Sequence, residues 1–374
     1  DGILGIMSRL NLGTRPVGDA TERLLCPWEL DAYCNNHSET ALHTAVRGRH
    51  GDIVSGLLAA GANPNLLTQR AAGDQPQSGQ AEEAMSALEE ACTNRDIAVV
   101  DLLLKHGARD DDCRALAVVV RNKDDILTAK LLSIKAHPDP ENRINKKAMS
   151  EQVPAASTQF SGLQSLTYSN MFANTPVMIN WHCQRCQLSQ IRPQWLVDAA
   201  LHVNPKLRLN PKSQDLVLYA ITRLDVSNNS LTWVPPVVFQ LQSLRHLNLA
   251  HNKIEKLPSE KDSPPWDGGG GGSKKRLKHS LKLYSASLLE ELYLQYNRLE
   301  VLPDEVFSLP GLVTLDVSNN KLPSLPCKMW RAPKLKELNA AFNLLKDLPT
   351  LQQEDVSDTA SVCSMESSRS VDSQ

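Results

Sequence analysis

One asparagine recurs at a fixed interval through the C-terminal half of the chain, and this interval constrains the fold more than any other feature. It stands at Asn229, Asn252, Asn297, Asn320 and Asn343. The spacings are 23, 45, 23 and 23 residues, so the longest one is interpreted as a single unit lengthened by an insert. A period of this length predicts a solenoid, in which stacked units share one core.

Each asparagine lies in the frame L-x-x-L-x-L-x-x-N-x-L-x-x-L-P, which resembles the leucine-rich repeat. The alternating L-x-L part directs every second side chain inward and predicts one short parallel strand per coil. The asparagine amide can bond backbone groups at the turn that follows, so these asparagines are expected to be structural. We therefore predict an α/β leucine-rich repeat horseshoe over residues 177–350, with the glycine- and lysine-rich segment 263–280 looped out as a disordered insert.

The variable positions of the frame point away from the leucine core and predict a concave recognition face. Aromatic and charged side chains mixed on one wall suit protein binding, although any single one of them could simply solvate the sheet. The candidate binding residues are Arg223, Asp225, His246, Asn248, Glu291, Tyr293, Gln295, Tyr296, Asp316 and Phe342.

The first third of the chain repeats on a different pattern, which resembles the ankyrin repeat. Its clearest copy begins Thr40-Ala41-Leu42-His43 and ends at Gly61-Ala62. Three copies keep 16 residues between the first leucine and the second residue of the later apolar pair, at 42 and 58, 88 and 104, and 116 and 132. Constant spacing predicts helix hairpins of fixed length, in which the threonine caps the first helix and the glycine before the alanine allows the tight turn after the second. All-α ankyrin hairpins are predicted over residues 1–137, with a degenerate first copy.

Two further segments lack the composition of a folded core. Residues 138–176 are polar and predict a linker between the two arrays, and residues 351–374 predict a disordered, serine-rich acidic tail. A disordered serine tract is accessible to kinases. The candidate phosphosites are Ser357, Ser361, Ser364, Ser367, Ser368 and Ser370.

Bulk composition bounds the class of protein. The 374 residues are 41% hydrophobic and carry a formal net charge of −2, which gives the chain no global attraction to nucleic acid. The apolar runs are too short to span a bilayer and no signal sequence is visible, so a cytoplasmic protein is predicted, with at most peripheral contact with intracellular membranes.

The eight cysteines are scattered at irregular intervals, which favours reduced thiols over a disulfide framework. One local cluster, His182-Cys183-Gln184-Arg185-Cys186, lacks the second ligand pair of a zinc finger. In the repeat frame Cys183 is a core position and Cys186 takes the place of the asparagine. No metal site is therefore predicted.

Chemistry-bearing motifs are missing from the sequence. We find no phosphate-binding G-x-x-x-x-G-K-[ST], no dinucleotide G-x-G-x-x-G that opens a helix, and no kinase catalytic loop. The run of glycines at 268–272 lacks the lysine-hydroxyl ending of a phosphate loop. No catalytic residue and no cofactor is predicted for this chain.

The whole arrangement resembles the amino-terminal part of animal leucine-rich repeat kinases of the ROCO family. The most specific residues lie at the junction of the two arrays: Asn180-Trp181-His182, Gln194-Trp195-Leu196-Val197-Asp198 and Ile221-Thr222-Arg223-Leu224-Asp225. The resemblance implies that a Ras-like GTPase and a serine/threonine kinase lie outside this chain, and that the repeats regulate them or bind other proteins. A free-standing ankyrin and leucine-rich repeat adaptor for signalling complexes is the alternative. An enzyme with its site in the linker is disfavoured, because 138–175 contains neither histidine nor cysteine.

Overall fold

The computed structural model describes residues 30–33, 39–69, 84–140, 175–184, 186–205, 218–259 and 283–350. These fall into two compact units: Asp1–Lys135 together with Cys183–Leu188, and Ala136–His182 together with Ser189–Gln374. The sequence boundaries at 137, 176 and 350 stay predictions. The insert at 263–280, the six candidate phosphosites and residues 1–29, which hold most of the degenerate first ankyrin copy, lie outside the described residues. Leu30, near the end of that copy, is described and is buried. In the described part of the chain, no helix has both the length and the apolar character needed to cross a bilayer.

The described residues of unit 1 form three helix hairpins. The six helices are α1 (Ala41–Arg47), α2 (Gly51–Ala59), α3 (Ala87–Thr93), α4 (Ile97–Lys105), α5 (Arg114–Arg121) and α6 (Asp125–Ser133). The predicted hydroxyl caps are present: Thr40 accepts from the His43 N–H, and Ser86 forms a reciprocal capping box with Glu89. Such caps satisfy N–H groups that a helix start leaves free. The turns that follow the second helix of the first two hairpins contain Gly61 and Gly107, with φ of 97° and 88°, a conformation that favours glycine.

Unit 2 is organised by one seven-stranded sheet. The strands are β1 (Ala136–Pro138), β2 (Val177–Asn180), β3 (Ile221–Asp225), β4 (His246–Asn248), β5 (Glu291–Tyr293), β6 (Thr314–Asp316) and β7 (Glu337–Asn339), in that order across the sheet. β1 pairs antiparallel with β2, and every later pair is parallel. Helix α7 (Pro193–Val203) follows β2. The predicted repeat-solenoid class, helix hairpins followed by a leucine-rich repeat sheet, is confirmed; strand β1 was not expected.

The leucines of the frame form the core of unit 2. Leu224, Leu247, Leu292, Leu315 and Leu338 stand opposite one another in consecutive strands. The first four are buried, and Leu338, in the last described coil, is partly exposed. The long spacing of 45 residues ends in direct pairing of β4 with β5, so the coils on either side of the insert are neighbours in the sheet. Burial of each coil therefore depends on the next one.

The repeated asparagines bond consecutive coils together. The side-chain N–H of Asn252 donates to the carbonyl of Val226 in the preceding coil at 3.0 Å, and its oxygen accepts from the Leu231 N–H at 3.0 Å. Asn297 and Asn320 repeat this arrangement with their own neighbours. Since the turn carbonyls are buried, each amide supplies a partner that the backbone ladder does not.

The cysteine segment departs from the expected pattern. By its contacts Cys183–Leu188 belongs to unit 1, although the residues before and after it belong to unit 2. The structure joins Cys183 and Cys186 as a disulfide, whereas the sequence favoured reduced thiols throughout. The proximity arises because the Cys-x-x-Cys segment forms a tight turn, in which the Cys186 N–H donates to the Cys183 sulfur at 3.3 Å.

Candidate protein-recognition surface

Two outward columns of side chains flank the leucine column of the sheet. The first column contains Arg223, His246, Glu291, Thr314 and Glu337; the second contains Asp225, Asn248, Tyr293, Asp316 and Asn339. Their positions alternate with the buried leucines, so these side chains project from the sheet on the side away from the core. The structure thus brings seven of the ten predicted binding residues into two adjacent columns.

Most of the second column has a structural task. Asp225 accepts the Ser227 N–H at 2.9 Å, Asn248 accepts the Ala250 N–H at 3.1 Å, and Asp316 accepts the Ser318 N–H at 2.9 Å. Such bonds from a side-chain oxygen to the backbone two residues later hold the turn at the end of the strand. These three predicted binding residues therefore stabilise the coils, and Tyr293 is the member of the column that cannot form this bond.

Arg223 also has a structural partner. Its Nε lies 3.3 Å from a carboxylate oxygen of Asp139, and the hydroxyl of Thr222 donates to the same oxygen at 2.7 Å. Asp139 is buried, and a buried carboxylate needs such partners to remain charged. The guanidinium is therefore committed to the start of the sheet, where it neutralises Asp139.

A polar triad occupies the centre of the face. Glu291 Oε2 lies 3.0 Å from His246 Nδ1 and accepts the Tyr293 hydroxyl at 3.0 Å. Partial burial raises the pKa of Glu291, but the bonds from His246 and Tyr293 outweigh burial and leave this pKa below its ordinary value. Partial burial, the bond to Glu291 and the nearby carboxylates raise the pKa of Tyr293. The triad therefore holds a charged carboxylate and a neutral phenol side by side.

A third column lies at the turn just before each repeated asparagine. Its members share a left-handed backbone with φ between 53° and 57°: Asn228, His251, Tyr296, Asn319 and Phe342. The first four donate their backbone N–H to a carbonyl of the next coil. Tyr296 is 50% exposed and stacks on His251 with ring centroids 4.3 Å apart, and Phe342 is 81% exposed. Exposed aromatic rings thus occupy a backbone conformation that bulky residues seldom adopt.

Gln295 differs from its equivalents in the other coils, which are Ser227, Ala250, Ser318 and Ala341. Its side-chain oxygen is buried, and among the described residues it has no hydrogen-bond partner. A shallow concavity lies beside the same coil, and its lining includes Tyr293, Asp316, Lys336, Glu337 and Asn339. The fifth strand and its turn therefore carry the most unusual part of the face.

Sequence reasoning placed Tyr296 and Phe342 on the face, at the variable position directly before each repeated asparagine, but it missed the left-handed backbone that this column shares. The left-handed backbone could have been anticipated because asparagine, which tolerates it, holds two of the five positions.

Two repeat families match the chain. The leucine rich repeat model matches residues 220–261 and 287–345, and the ankyrin repeat model matches residues 37–69. The chain therefore contains leucine-rich repeats and an ankyrin repeat. Repeats of both kinds mediate protein–protein binding, and the matched residues of the leucine-rich repeats include the three columns described above.

One relative of the chain is a leucine-rich repeat protein kinase. The chain is similar to leucine-rich repeat serine/threonine-protein kinase 1 of Caenorhabditis elegans, with 36% identity over 299 residues that cover 79% of this chain. The match spans 11% of the length of that kinase. The resemblance inferred from the junction residues is thereby confirmed, and the matching region is a repeat region.

Parts of the chain are similar to solved structures of leucine-rich repeat proteins. A leucine-rich repeat protein of Leptospira interrogans is 32% identical over 37% of this chain and 29% of its own, with a TM-score of 0.29. The leucine-rich repeat domain of the type III effector XopL is 17% identical over 63% of this chain and 73% of its own, with a TM-score of 0.33.

Proposed function

We propose that this chain is a non-catalytic recognition and regulatory module that binds another protein through the concave columns of its leucine-rich repeats. The binding residues are Tyr293 and Glu291 at the centre and the exposed rings of Tyr296 and Phe342 at the turns. Asp225, Asn248 and Asp316 support the surface by holding the turns, and Arg223 by pairing with Asp139.

The observation that carries the proposal is the choice of residue in the third column. Left-handed backbone is strained for a bulky side chain, by about 1 to 3 kcal/mol. Asn228 and Asn319 hold the same conformation in neighbouring coils, so the fold itself does not require a ring there. Exposed rings at strained positions are typical of surfaces that another molecule covers.

The charges of the face indicate the chemistry of the partner. Glu291, Asp316 and Glu337 project from the face. Lys336 is a cation in the lining of the shallow concavity that also includes Asp316 and Glu337. An excess of carboxylates favours a partner segment with lysine or arginine, because complementary charge speeds and orients association. Apolar side chains of the same segment would cover the exposed rings.

Two settings are open to such a module. In the first, supported by the similarity to a kinase of which this chain matches only 11%, it belongs to a longer kinase and contacts the GTPase or kinase domain of its own chain. In the second it is a free-standing adaptor. A longer transcript that encodes phosphate-loop and kinase motifs would support the first setting, and a stop codon directly after residue 374 would support the second.

The test compares the parent chain with a double variant, Tyr296→Asn with Phe342→Asn. Asparagine already occupies this column, so the fold should be kept while both rings are removed. The control is Val301→Thr, which alters an exposed apolar side chain of the same unit outside the columns. Each chain is immobilised, and the proteins that it retains are quantified by mass spectrometry.

If binding depends on these hot-spot rings, the parent and Val301→Thr should retain the same partner proteins. The amount of these proteins retained by the double variant should fall at least about tenfold. Circular dichroism of all three chains checks that the repeats remain folded. Equal retention by the folded double variant would overturn the assignment of the face.

A further inference from the structure

Three buried cysteine sulfurs converge inside unit 1. Cys113 comes from the start of the third hairpin, whereas Cys183 and Cys186 come from the segment that joins this unit by its contacts. All three sulfur atoms lie within 4.8 Å of one another, and all three residues are buried. Cys113 and Cys183 are 70 positions apart in sequence, so the fold itself creates the cluster.

Polar donors point at two of these sulfurs. The Lys135 ammonium lies 3.1 Å from the Cys113 sulfur and also donates to the Asp110 carbonyl at 2.9 Å. The Cys186 N–H donates to the Cys183 sulfur at 3.3 Å. Donors of this kind suit a sulfur that carries negative charge, since a charge-assisted bond is stronger than one to a neutral thiol or disulfide.

The backbone at the cluster is arranged around the cysteines. Cys113 has a left-handed φ of 56° at the start of α5, where its side chain makes no capping bond. Asp110 instead accepts the N–H groups of Ala115 and Leu116 at 3.0 and 2.9 Å, which leaves the Cys113 sulfur for another purpose. Non-glycine residues in this conformation cluster at functional sites.

We propose that the thiolates of Cys113, Cys183 and Cys186 bind one zinc ion. Tetrahedral zinc with a Zn–S distance of about 2.3 Å keeps its sulfurs roughly 3.8 Å apart, which the cluster can satisfy with little movement. Three thiols release three protons on binding, and the Zn²⁺ ion with three thiolates carries one net negative charge. Lys135 neutralises that charge. The fourth coordination position takes water or another ligand.

Zinc binding and the disulfide exclude each other, because zinc binds cysteine as the negatively charged thiolate and a disulfide sulfur is neutral. A disulfide employs two sulfurs and leaves Cys113 unaccounted for, whereas the metal employs all three. Cys92 shows the contrast within the same unit: burial and three nearby carboxylates raise the pKa of its thiol to about 12, which keeps it protonated and inert. Soft thiolate donors select zinc over calcium or magnesium.

The test measures zinc in the full chain 1–374, expressed in zinc-supplemented medium and purified with a thiol reductant and without chelator. Inductively coupled plasma mass spectrometry should find about one zinc ion per chain. Cys113→Ser should lower this content at least about fivefold. Cys327→Ser, which alters an exposed cysteine, and Cys92→Ala, which alters a buried one, should leave it unchanged.

A second measurement protects the test against variants that fail to fold. The parent chain is stripped of zinc and loaded with Co²⁺, whose thiolate charge-transfer absorption scales with the number of bound sulfurs and whose visible bands report tetrahedral geometry. Three thiolates in a tetrahedral site are expected. A zinc content below about a tenth of an ion per chain would overturn the proposal, as would a cobalt spectrum without thiolate absorption. Recovery of Cys183 and Cys186 only as a disulfide after alkylation under the same reducing conditions would also overturn it.

Discussion

The two units of this chain repeat left-handed backbone positions in the same way but fill them differently. In unit 1 these positions precede the second helix of each hairpin and hold Arg49, Arg95 and Lys123, all exposed cations. In unit 2 they precede the repeated asparagine and range from asparagine to histidine, tyrosine and phenylalanine. The φ values agree within a few degrees across both sets, so the backbone demand is the same. The backbone demand therefore does not explain the variation in unit 2, which agrees with the recognition role that we propose for this surface.

The largest effect should come from the buried leucines. Leu247→Ala in unit 2 and Leu103→Ala in unit 1 should each lower the free energy of unfolding by about 2 to 5 kcal/mol, because each removes fully buried methylene groups. Urea unfolding of the full chain can separate the units when Trp28, which falls in unit 1, is replaced by phenylalanine in every variant. Fluorescence then reports unit 2, which contains Trp181, Trp195, Trp233 and Trp330, whereas circular dichroism follows mainly the helices of unit 1. Losses below about half a kcal/mol at both sites would contradict the packing.

The next largest effect should come from the polar side chains that hydrogen-bond the backbone within the repeats. Asn320 donates to the carbonyls of Leu294 and Val317 at 3.0 Å and accepts the Leu299 N–H at 3.0 Å. Asn320→Ala leaves these buried groups without partners, and we expect a loss of about 1 to 3 kcal/mol in unit 2. Ser86→Ala removes one half of a capping box in unit 1 and should cost about 1 kcal/mol. Equal losses in the same urea titration would show that the asparagines act locally, as caps do, and not between coils.

Exchange of the left-handed residues tests whether the two units differ in why these positions hold their side chains. Tyr296→Asn and Arg95→Asn place the same tolerant residue at φ values of 57° and 55°. Relief of strain should leave either unit unchanged or more stable by up to about 1 kcal/mol. Only Tyr296→Asn should reduce partner retention, since only it removes an exposed ring. A destabilisation above about 1 kcal/mol for Tyr296→Asn would mean that the stack on His251 supports the fold.

Local spacing predicted the parts of the molecule in which contacts follow the repeat. The leucine positions fixed the register of β3 to β7, and the constant 16 residues between Leu42 and Leu58 and their equivalents indicated the hairpins. The frame likewise placed Tyr296 and Phe342 outside the core.

Contacts between residues far apart in sequence could not be predicted in this way. The pairing of Arg223 with Asp139, the meeting of Cys113 with Cys183, and strand β1 at Ala136–Pro138 carry no periodic signal. Each depends on where the chain returns after a long connection, and residue pattern does not encode that path. The turn-holding role of Asp225 and Asp316 was recoverable, because aspartate and asparagine hold four of the five positions in that column.

The smallest expected effect concerns the charge at the centre of the face. The bonds from His246 and Tyr293 outweigh partial burial and lower the pKa of Glu291 in the folded state, so the stability that they add is present above the ordinary pKa of the carboxyl. It is lost as the pH falls through the folded pKa, because the folded and unfolded chains then bind the same number of protons. Since the triad is largely solvated, the effect should be below about 1 kcal/mol.

Urea titrations followed by tryptophan fluorescence at pH 7 and pH 4 compare the parent with Glu291→Gln. The difference in free energy of unfolding that favours the parent should shrink on acidification. Glu300→Gln, at an exposed carboxylate in the same unit, should behave like the parent. An advantage that stays constant between the two pH values would mean that Glu291 acts through its shape and hydrogen bonds rather than its charge, and the attraction proposed for a basic partner would then have to come from Asp316 and Glu337.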